Sequence, residues 1–425
     1  MASINAGKKK IVILGAGFGG LRVALQLSKK LRRSGHDKNV EILLIDRNAY
    51  HTYTPTLYEA ATTSKETANY CELKEIVTFS IPEIVTRYGI RFHQAETQKL
   101  DLIGGDIHLT DGSKIKFDHL ALAPGSETNY FGIPGLEQHA LPLKTLMNAF
   151  SIRDRILASV ESGANPLRVI IGGGGSTGVE LAGEIASWVE ELAEKHRTNH
   201  EITVVEAAPS VLFGFGPSII RKATSRLNDL GIKVLTNATI TKVESDKVLL
   251  KDGAVLKSDV TIWTGGVKAS SLIATLPLKL EQRGRVEVAD AMFCLPQTPD
   301  LKLSGTIYGL GDAVCCYDPK TGKPMPGVAR AAIAQADVVA ANIWREISGH
   351  GAVRRYRPMN YPYVIPIGGK WAIAKLGPIK IWGFPGWILK GLVEINYLIS
   401  IMPFWKAVKI WLKGLSIFIK NDRLG

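Results

Sequence analysis

Cysteine is scarce in this chain, with four residues among 425 and no pair in C-x-x-C spacing. A thioredoxin-type dithiol and a zinc ribbon both need such pairs, so the sequence excludes both classes. Cys315 and Cys316 are neighbours. We expect two buried small residues there, although a redox-active pair stays open. The low count is typical of a reducing compartment.

Long uncharged apolar runs are also absent. No stretch of about 20 apolar residues lacks charge, so the sequence predicts no transmembrane helix. The apolar run at 11–14 is too brief for the core of a secretory signal, and it ends in Gly-Ala-Gly.

Acidic residues are outnumbered, with 39 Asp and Glu against 52 Lys and Arg and a formal net charge of +13. Such a balance favours an anionic partner, which can be nucleic acid, anionic lipid or an acidic substrate. Residues 371–425 hold eight Lys and Arg against two Asp and Glu, and five of the eight tryptophans. Nearly half of the net charge therefore lies in this short tail.

A strand–helix–strand pattern occurs twice. The first copy has a strand at 10–14, a glycine turn, a helix over about 19–31 and a strand at 40–45 that ends at Asp46. The second has a strand at 168–171, a turn at 172–175, a helix from 178 to about 195 and a strand at 201–205 that ends at Glu206. Short apolar strands of this kind are typical of buried parallel sheets. The repeat predicts two dinucleotide-binding units in one chain.

The first turn reads Gly15-x-Gly17-x-x-Gly20. The first glycine permits the tight turn, the second lets the backbone approach a pyrophosphate, and the third allows the helix to pack closely on the strand. The helix N-terminus then presents unpaired N–H groups to the phosphates. Asp46 is placed to bind ribose hydroxyls. The turn therefore predicts a dinucleotide site.

The second turn reads Gly173-x-Gly175-x-x-Gly178, with Glu206 closing the next strand. A carboxylate there accepts from a ribose 2′-OH and repels a 2′-phosphate, and 207–209 hold no Lys or Arg to neutralise one. NADH is therefore favoured over NADPH. The economical pairing is FAD in the N-terminal unit and NADH in the inserted one, with hydride passing from nicotinamide to flavin.

Downstream, an apolar strand over 305–311 ends in Gly-Asp at Asp312. The carboxylate can accept from a ribityl hydroxyl, or it can cap the next helix. Both interpretations stay open. A helix is expected from Ala329 to about Ile347.

The expected fold class is α/β, with two Rossmann-like dinucleotide-binding domains and a C-terminal amphipathic membrane-docking segment. Hairpins are expected at 91–122 and 232–262, with turns at 104–105, 111–112 and 252–253. The domains are predicted as an FAD-binding first part at 8–125, an inserted NADH-binding domain at 126–285, an FAD-binding second part at 286–356 and the docking segment at 357–425.

Two helices are predicted in the tail, at 385–401 and 403–420, each opened by proline. Four lysines share one face of the second helix, and aromatic and aliphatic residues fill the remainder: Lys406, Lys409, Lys413 and Lys420. This pattern is typical of a helix at the surface of an anionic membrane. A helix packed on the core, or a dimer contact, is the alternative. Nucleic acid fits the charge but not the apolar residues.

Several stretches resemble the type II NADH:quinone oxidoreductases, the single-subunit, non-proton-pumping NADH dehydrogenases of the two-dinucleotide flavoprotein superfamily. They lie at 122–135, 176–184, 261–268 and 311–312. The resemblance implies non-covalent FAD, oxidation of NADH and two-electron reduction of a membrane quinone in a respiratory chain. It implies a peripheral enzyme on the cytoplasmic face of the inner or plasma membrane, with a homodimer left open, no nucleic acid and no metal.

The resemblance also implies site residues. The FAD and NADH positions are Gly15, Gly17, Gly20, Asp46, Gly125 and Asp312, and Gly173, Gly175, Gly178 and Glu206. The two catalytic positions implied are Glu180, which matches a glutamate near the nicotinamide–flavin contact, and Lys370, which matches a lysine near the flavin. Without the resemblance, Glu180 would be read as a first-turn glutamate stabilised by the helix dipole, and Lys370 as a solvated lysine.

One helix departs from the family pattern. Where the family has Ala-Gln-x-Ala-x-Gln, this chain has Arg330 and Ala334 in place of the two glutamines, followed by Gln335. These three are the expected quinone-side residues. The change leaves open which quinone is reduced and whether the acceptor is a quinone. The alternatives are reduction of a rubredoxin- or ferredoxin-like protein, reduction of a biosynthetic quinone, and a flavin-binding redox sensor or interaction protein of the apoptosis-inducing-factor kind.

Overall fold

The structure is a computed structural model that describes residues 8–318, 322–325 and 327–421. The α-helices are numbered in chain order: α1 Phe18–Arg33, α2 Leu57–Ala60, α3 Tyr70–Val77, α4 Ile81–Thr86, α5 Leu136–His139, α6 Leu146–Glu161, α7 Ser176–His196, α8 Pro217–Asp229, α9 Ala329–Ser348, α10 Phe384–Ile401 and α11 Phe404–Asn421.

The strands are numbered in the same way: β1 Lys9–Leu14, β2 Val40–Asp46, β3 Tyr50–Thr52, β4 Thr78–Ser80, β5 Arg91–Gln94, β6 Thr97–Asp101, β7 Asp106–Leu109, β8 Lys114–Lys116, β9 His119–Leu122, β10 Ser126–Thr128, β11 Ala140–Pro142, β12 Leu167–Gly172, β13 His200–Val205, β14 Lys233–Leu235, β15 Ile240–Val243, β16 Lys247–Leu250, β17 Val255–Lys257, β18 Val260–Trp263, β19 Val267–Ala269, β20 Val286–Glu287, β21 Thr306–Gly309, β22 Val314–Cys315, β23 Tyr363–Pro366, β24 Ala372–Leu376 and β25 Ile379–Gly383.

The chain divides into two compact units. The first comprises 1–51, 79–127 and 268–361, and the second comprises 52–78, 128–267 and 362–425. The predicted domain bounds differ from these units at 52–78, at 268–285 and in the tail, whose last four residues lie outside the described part. The segment 52–78 groups with the second unit because α2 packs on α6 and α7, and α3 packs on α11.

The first unit is built on a parallel sheet with the order β21-β9-β1-β2-β5. The central strand β1 is buried from Ile11 onward, because apolar side chains on both faces of a parallel strand are covered by helices. Helix α1 buries Leu21, Leu25 and other apolar residues of one face and packs against α9. Arg22 of α1 pairs with Asp337 of α9 at 2.8 Å. The carboxyl ends of β1 and β2 therefore hold a fixed position beside the start of α1.

The second unit repeats this plan, with a parallel sheet in the order β11-β18-β12-β13-β14. Its central strand β12 again leads into a long helix, α7. In each sheet the chain crosses from one side of the central strand to the other, and such a crossing is where open α/β sheets bind ligands. Sheets with the same strand arrangement thus place both glycine turns at equivalent points.

Antiparallel pieces complete the units. The sheet β6-β7-β8 lies in the first unit and β15-β16-β17 in the second, with turns where the sequence predicts them. The second unit also holds the antiparallel sheet β23-β24-β25 followed by α10 and α11. In the described part of the chain, no helix combines the length and apolarity that a membrane crossing requires.

The main predicted elements are confirmed. Both βαβ units, the helix near 329–347 and the two tail helices occur within a few residues of their expected bounds. The α/β class with two Rossmann-like cores is confirmed as well.

Candidate dinucleotide sites and a buried acidic cluster

The first glycine turn connects β1 to α1. Gly15 has φ +96°, and a Cβ added there would lie 2.2 Å from the carbonyl oxygen of Ala123. A Cβ on Gly20 would lie 1.9 Å from the carbonyl oxygen of Gly15. Gly17 differs, because a Cβ there would meet nothing within 4 Å. The outer glycines are thus required by packing, while the middle one borders open space that a pyrophosphate can occupy.

Asp46 stands at the end of β2, and the backbone orients its carboxylate. The Ala16 N–H donates to it at 2.7 Å and the Asn48 N–H at 2.8 Å. The Asn48 side-chain amide also donates to Oδ1 at 3.3 Å, whereas Oδ2 keeps a second lone pair, which can accept a ribose hydroxyl. The residues of the first unit therefore fit the adenosine and pyrophosphate of FAD.

His51 also supports this turn and is not among the site residues that the sequence predicts. Its ring lies 2.9 Å from the carbonyl oxygen of Ala16 through Nδ1, and it packs edge-on against Phe18. Burial lowers the pKa of His51 to about 4, so the neutral ring donates from Nδ1. No motif identifies it, because its role depends on the return of β3 to the glycine turn.

The second glycine turn has the same geometry. Gly173 has φ +105°, and its Cβ would lie 2.5 Å from the Cα of Gly265. A Cβ on Gly178 would lie 1.9 Å from the Gly173 carbonyl oxygen, whereas Gly175 has nothing within 4 Å. Glu206 accepts the Gly174 N–H at 2.6 Å and the Ala208 N–H at 2.7 Å. Both units therefore hold their acidic residue by equivalent bonds.

Asp312 lies in a short 3₁₀ turn after β21, where it accepts the Ser126 hydroxyl at 2.7 Å. The helix-capping interpretation is wrong, because α9 begins after Val328 with no side-chain cap. Gly125, which has φ +73°, directly precedes the serine that donates to this carboxylate. Asp312 and Gly125 thus lie in one polar corner of the first unit.

The three expected quinone-side residues lie on α9. Gln335 is buried, accepts the Gly311 N–H at 2.8 Å and lies 3.5 Å from the Cys316 sulfur. Its amide therefore positions the turn that carries Asp312. Arg330 is exposed and Ala334 is partly buried.

The cysteines of this region are buried, as expected for Cys315 and Cys316. Desolvation raises the pKa of Cys316 to about 12. A thiol with a raised pKa is a poor nucleophile. The redox-pair interpretation is therefore not favoured.

Glu180 lies in the second turn of α7, and the first turn holds no acidic residue, so the first-turn interpretation is wrong. Some of its surface is accessible, yet protein atoms crowd the carboxyl. Desolvation raises the pKa of Glu180 to about 8, Lys390 acts to lower it and Glu59 acts to raise it. Glu180 is therefore mostly a neutral acid at pH 7.

Lys390 and Glu59 form an ion pair in the second unit. Glu59 is fully buried and the Lys390 side chain is 17% exposed. The ammonium also lies over the rings of Tyr58 and Phe418, at 5.5 and 5.7 Å from their centroids. The ammonium of Lys390 thus faces a fully buried carboxylate.

Glu394 follows Lys390 by one helical turn on α10. Burial raises the pKa of Glu394 to about 7, and Lys390 acts against that shift. Glu394 in turn raises the pKa of Tyr53, after burial as the main cause, and Tyr53 stacks on Tyr397 with centroids 5.2 Å apart. Three carboxyl groups and one ammonium therefore form a cluster, which we call the acidic cluster: Glu59, Glu180, Lys390 and Glu394.

Lys370 is the lysine that the resemblance places near the flavin, and in the structure it lies in the bend between β23 and β24, partly exposed. Arg226 holds the preceding loop by donating to the carbonyl oxygens of Ile367 and Gly368 at 3.1 and 2.8 Å. Lys390 is the lysine whose charge acts on Glu180. The sequence signal for Lys390 is its spacing of four residues from Glu394 in an otherwise apolar helix.

Comparison with known proteins adds the family. The model of the pyridine nucleotide-disulphide oxidoreductases matches residues 9–336. The type II NADH:quinone oxidoreductase of Mycobacterium tuberculosis is 30% identical over 423 residues, covering 92% of this chain and 85% of that protein. The demethylphylloquinone reductase of Synechocystis is 28% identical, covering 94% of this chain and 98% of that protein.

Solved structures share the fold. NDH2 of Plasmodium falciparum, in complex with NADH, superposes with a TM-score of 0.81 at 19% identity, covering 98% of this chain and 99% of the other. The sulfide:quinone oxidoreductase of Aquifex aeolicus gives 0.75 at 19% identity, covering 97% and 96%. At these identities the likeness concerns the fold.

Proposed function

This chain belongs to the type II NADH:quinone oxidoreductases within the pyridine nucleotide-disulphide oxidoreductase family, and we propose that it oxidises NADH and reduces a quinone while docked on a lipid surface. The overall reaction consumes NADH, one proton and a quinone, and it yields NAD⁺ and a quinol. Bound FAD supplies the two-electron chemistry between the two substrates.

The observation that carries this function is the pair of matching cradles in one chain. Each has a left-handed first glycine, an open middle glycine and a carboxylate held by two backbone N–H groups. We assign FAD to Gly15, Gly17, Gly20 and Asp46, with Gly125 and Asp312 as the further polar corner. We assign NADH to Gly173, Gly175, Gly178 and Glu206. The absence of Lys and Arg at 207–216 supports NADH over NADPH.

We assign to Glu180 the role of proton donor, because the reaction needs one proton in addition to the hydride of NADH. A carboxylic acid with a pKa of about 8 is protonated at pH 7 and can donate to a quinone oxygen. The buried ion pair of Lys390 and Glu59 keeps one cation beside it. Lys370, Arg330, Ala334 and Gln335 remain predicted site residues.

The docking proposal rests on the outer faces of α10 and α11. Apolar residues on these faces remain exposed at helical spacing: Phe384, Ile388, Leu392 and Ile399 on α10, and Trp405, Leu412 and Ile419 on α11. The opposite face of α11 is buried at Ala407, Ile410 and Ile417. A surface helix of a water-soluble protein is apolar on one face only, whereas α11 is apolar on two. A lipid surface would cover the second face.

Lysines flank the exposed stripe of α11. Lys406, Lys409 and Lys420 are exposed, and Lys413 pairs with Glu75 of α3 at 2.5 Å. Lysines beside an apolar stripe that contacts lipid would attract anionic headgroups. We place the protein on the cytoplasmic face of the membrane, where NADH is available, and a homodimer remains a prediction.

Steady-state kinetics of the purified protein test the function. We expect a yellow protein that releases FAD on denaturation, oxidises NADH at least tenfold better than NADPH, and reduces a soluble quinone. Negligible quinone turnover with intact FAD would contradict the function. Ferricyanide as the acceptor then separates loss of NADH oxidation from loss of quinone reduction.

Vesicle flotation tests the docking. The variant Trp405→Ser/Leu412→Ser should bind phosphatidylcholine–phosphatidylglycerol vesicles more weakly than the wild type, because each buried apolar side chain contributes about 1.5–3 kcal/mol. Val255→Ser, which changes an exposed residue of β17, is the matched control. Equal flotation of all three proteins would contradict docking through this stripe.

The identity of the quinone is tested by the same assay. One relative is a demethylphylloquinone reductase, so a biosynthetic quinone is a second candidate. A panel of ubiquinone, menaquinone and demethylphylloquinone analogues should rank the acceptors by kcat/KM. Preference for the last would assign the biosynthetic role.

A further inference from the structure

The loop after β13 returns to the second glycine turn. Leu212 donates its N–H to the carbonyl oxygen of Gly174 at 2.8 Å, and Phe215 donates to the Leu212 carbonyl oxygen at 3.0 Å. Gly174 also donates its own N–H to Glu206. One residue therefore fixes both the carboxylate and the tip of this loop.

The tip combines strain with exposure. Leu212 has φ +48°, in the left-handed region that costs a non-glycine residue free energy, yet its side chain is buried. Phe213 follows and is 67% exposed. An exposed aromatic ring thus directly follows a residue with a strained backbone. Strain of this kind is retained where the surrounding structure uses it.

In the NADH site proposed above, on which this inference rests, the loop tip lies beside the adenosine half of the nucleotide. A ribose bound to Glu206 and a pyrophosphate at Gly175 place the adenosine beside Gly174. The loop tip is hydrogen-bonded to that same residue. Phe213 is therefore within reach of the adenine, whereas the nicotinamide lies at the other end of the molecule.

We propose that Phe213 is the platform on which the adenine of NADH stacks, and that it sets the affinity for the adenosine half. Every base presents a π-face to an aromatic ring. The segment 207–216 also offers no cation to a 2′-phosphate. The loop therefore binds adenosine through the base rather than through an added charge.

The test compares NADH with reduced nicotinamide mononucleotide, which lacks the adenosine. In Phe213→Ala we expect kcat/KM for NADH to fall roughly tenfold, which is about 1.4 kcal/mol. The value for the mononucleotide should not change. Phe213→Trp should retain wild-type values with both substrates. Val255→Ala, at an exposed residue of the same unit, is the control.

Binding gives a readout independent of turnover. Calorimetric titration of the FAD-loaded protein with ADP-ribose should show the same roughly tenfold weakening in Phe213→Ala. Equal losses with NADH and the mononucleotide, or unchanged ADP-ribose binding, would overturn the proposal. Either result would leave the NADH:quinone activity of the wild type intact, so the two failures are distinguishable.

Discussion

Replacing Lys390 with methionine removes the cation that faces the buried carboxylate of Glu59. Methionine keeps most of the apolar stem, but the contacts of the ammonium with the rings of Tyr58 and Phe418 are lost with the charge. Glu59 is fully buried, so water cannot replace the lost partner. Removing one partner of a buried ion pair costs about 3–5 kcal/mol.

The change in melting temperature follows from the size of the chain. An unfolding entropy near 2 cal/mol/K per residue gives about 0.9 kcal/mol/K for 425 residues, so the Tm should fall by roughly 3–6 °C. Circular dichroism and flavin fluorescence can both follow the transition at pH 7. The double variant Lys390→Met/Glu59→Gln should recover at least half of the loss, because the fully buried carboxylate that faced the ammonium is then replaced by a neutral amide.

Lys195→Met is the matched control, because Lys195 pairs with Glu66 at 3.0 Å in the same unit but both side chains are more than half exposed. An exposed pair contributes about 0–1 kcal/mol, so the Tm should change by no more than about 1 °C. Equal Tm values for Lys390→Met and this control, or a double variant less stable than the single one, would contradict the stabilising role of the buried ion pair.

Three further predictions concern the sites. Wild-type quinone turnover should fall above pH 8, because Glu180 loses its proton there. The variant Glu180→Gln should be about 10²-fold slower at pH 7 and should not show this decrease at high pH. A wild-type pH profile that stays flat to pH 9.5 would contradict the role of Glu180 as a proton donor. Asp46→Ala should lower the FAD content after gel filtration, whereas Glu206→Ala should keep FAD and raise KM for NADH roughly tenfold. Identical phenotypes would argue against the assignment of FAD to the first cradle and NADH to the second. Gly15→Ala should fail to hold FAD, because its Cβ would lie 2.2 Å from a carbonyl oxygen. Gly17→Ala should fold normally and bind FAD less tightly. Circular dichroism measures the folding of each variant, and flavin absorbance measures the bound FAD.

The parts of the fold that the sequence predicts are those set by short-range pattern. A glycine turn between an apolar strand and a helix is contained in about 30 residues. Both copies therefore have the expected bounds, and so do the two proline-initiated tail helices. The sheet β23-β24-β25 and the grouping of 52–78 with the second unit depend on packing between distant segments. Local pattern does not encode them.

The acidic cluster shows the same limit at the level of side chains. Glu59, Glu180 and Lys390 come from α2, α7 and α10, and no spacing rule connects them. The family resemblance indicates Glu180 and, separately, Lys370, which lies in a glycine bend. Lys390 lies in an apolar helix that suggests only a membrane surface. Tertiary structure alone shows that its charge is directed inward.

The two cradles also differ by one methylene, and this difference accounts for a residue that the fingerprint leaves undefined. In the first unit the shorter Asp46 accepts the N–H of Ala16, so a methyl group is tolerated there. In the second unit the longer Glu206 accepts the N–H of Gly174, and a Cβ on Gly174 would lie 3.1 Å from the Glu206 Cβ and 3.0 Å from Val211. The longer carboxylate, together with Val211, therefore leaves little room for a side chain at the variable position. Because Gly174 also holds Leu212, the same choice fixes the loop that presents Phe213.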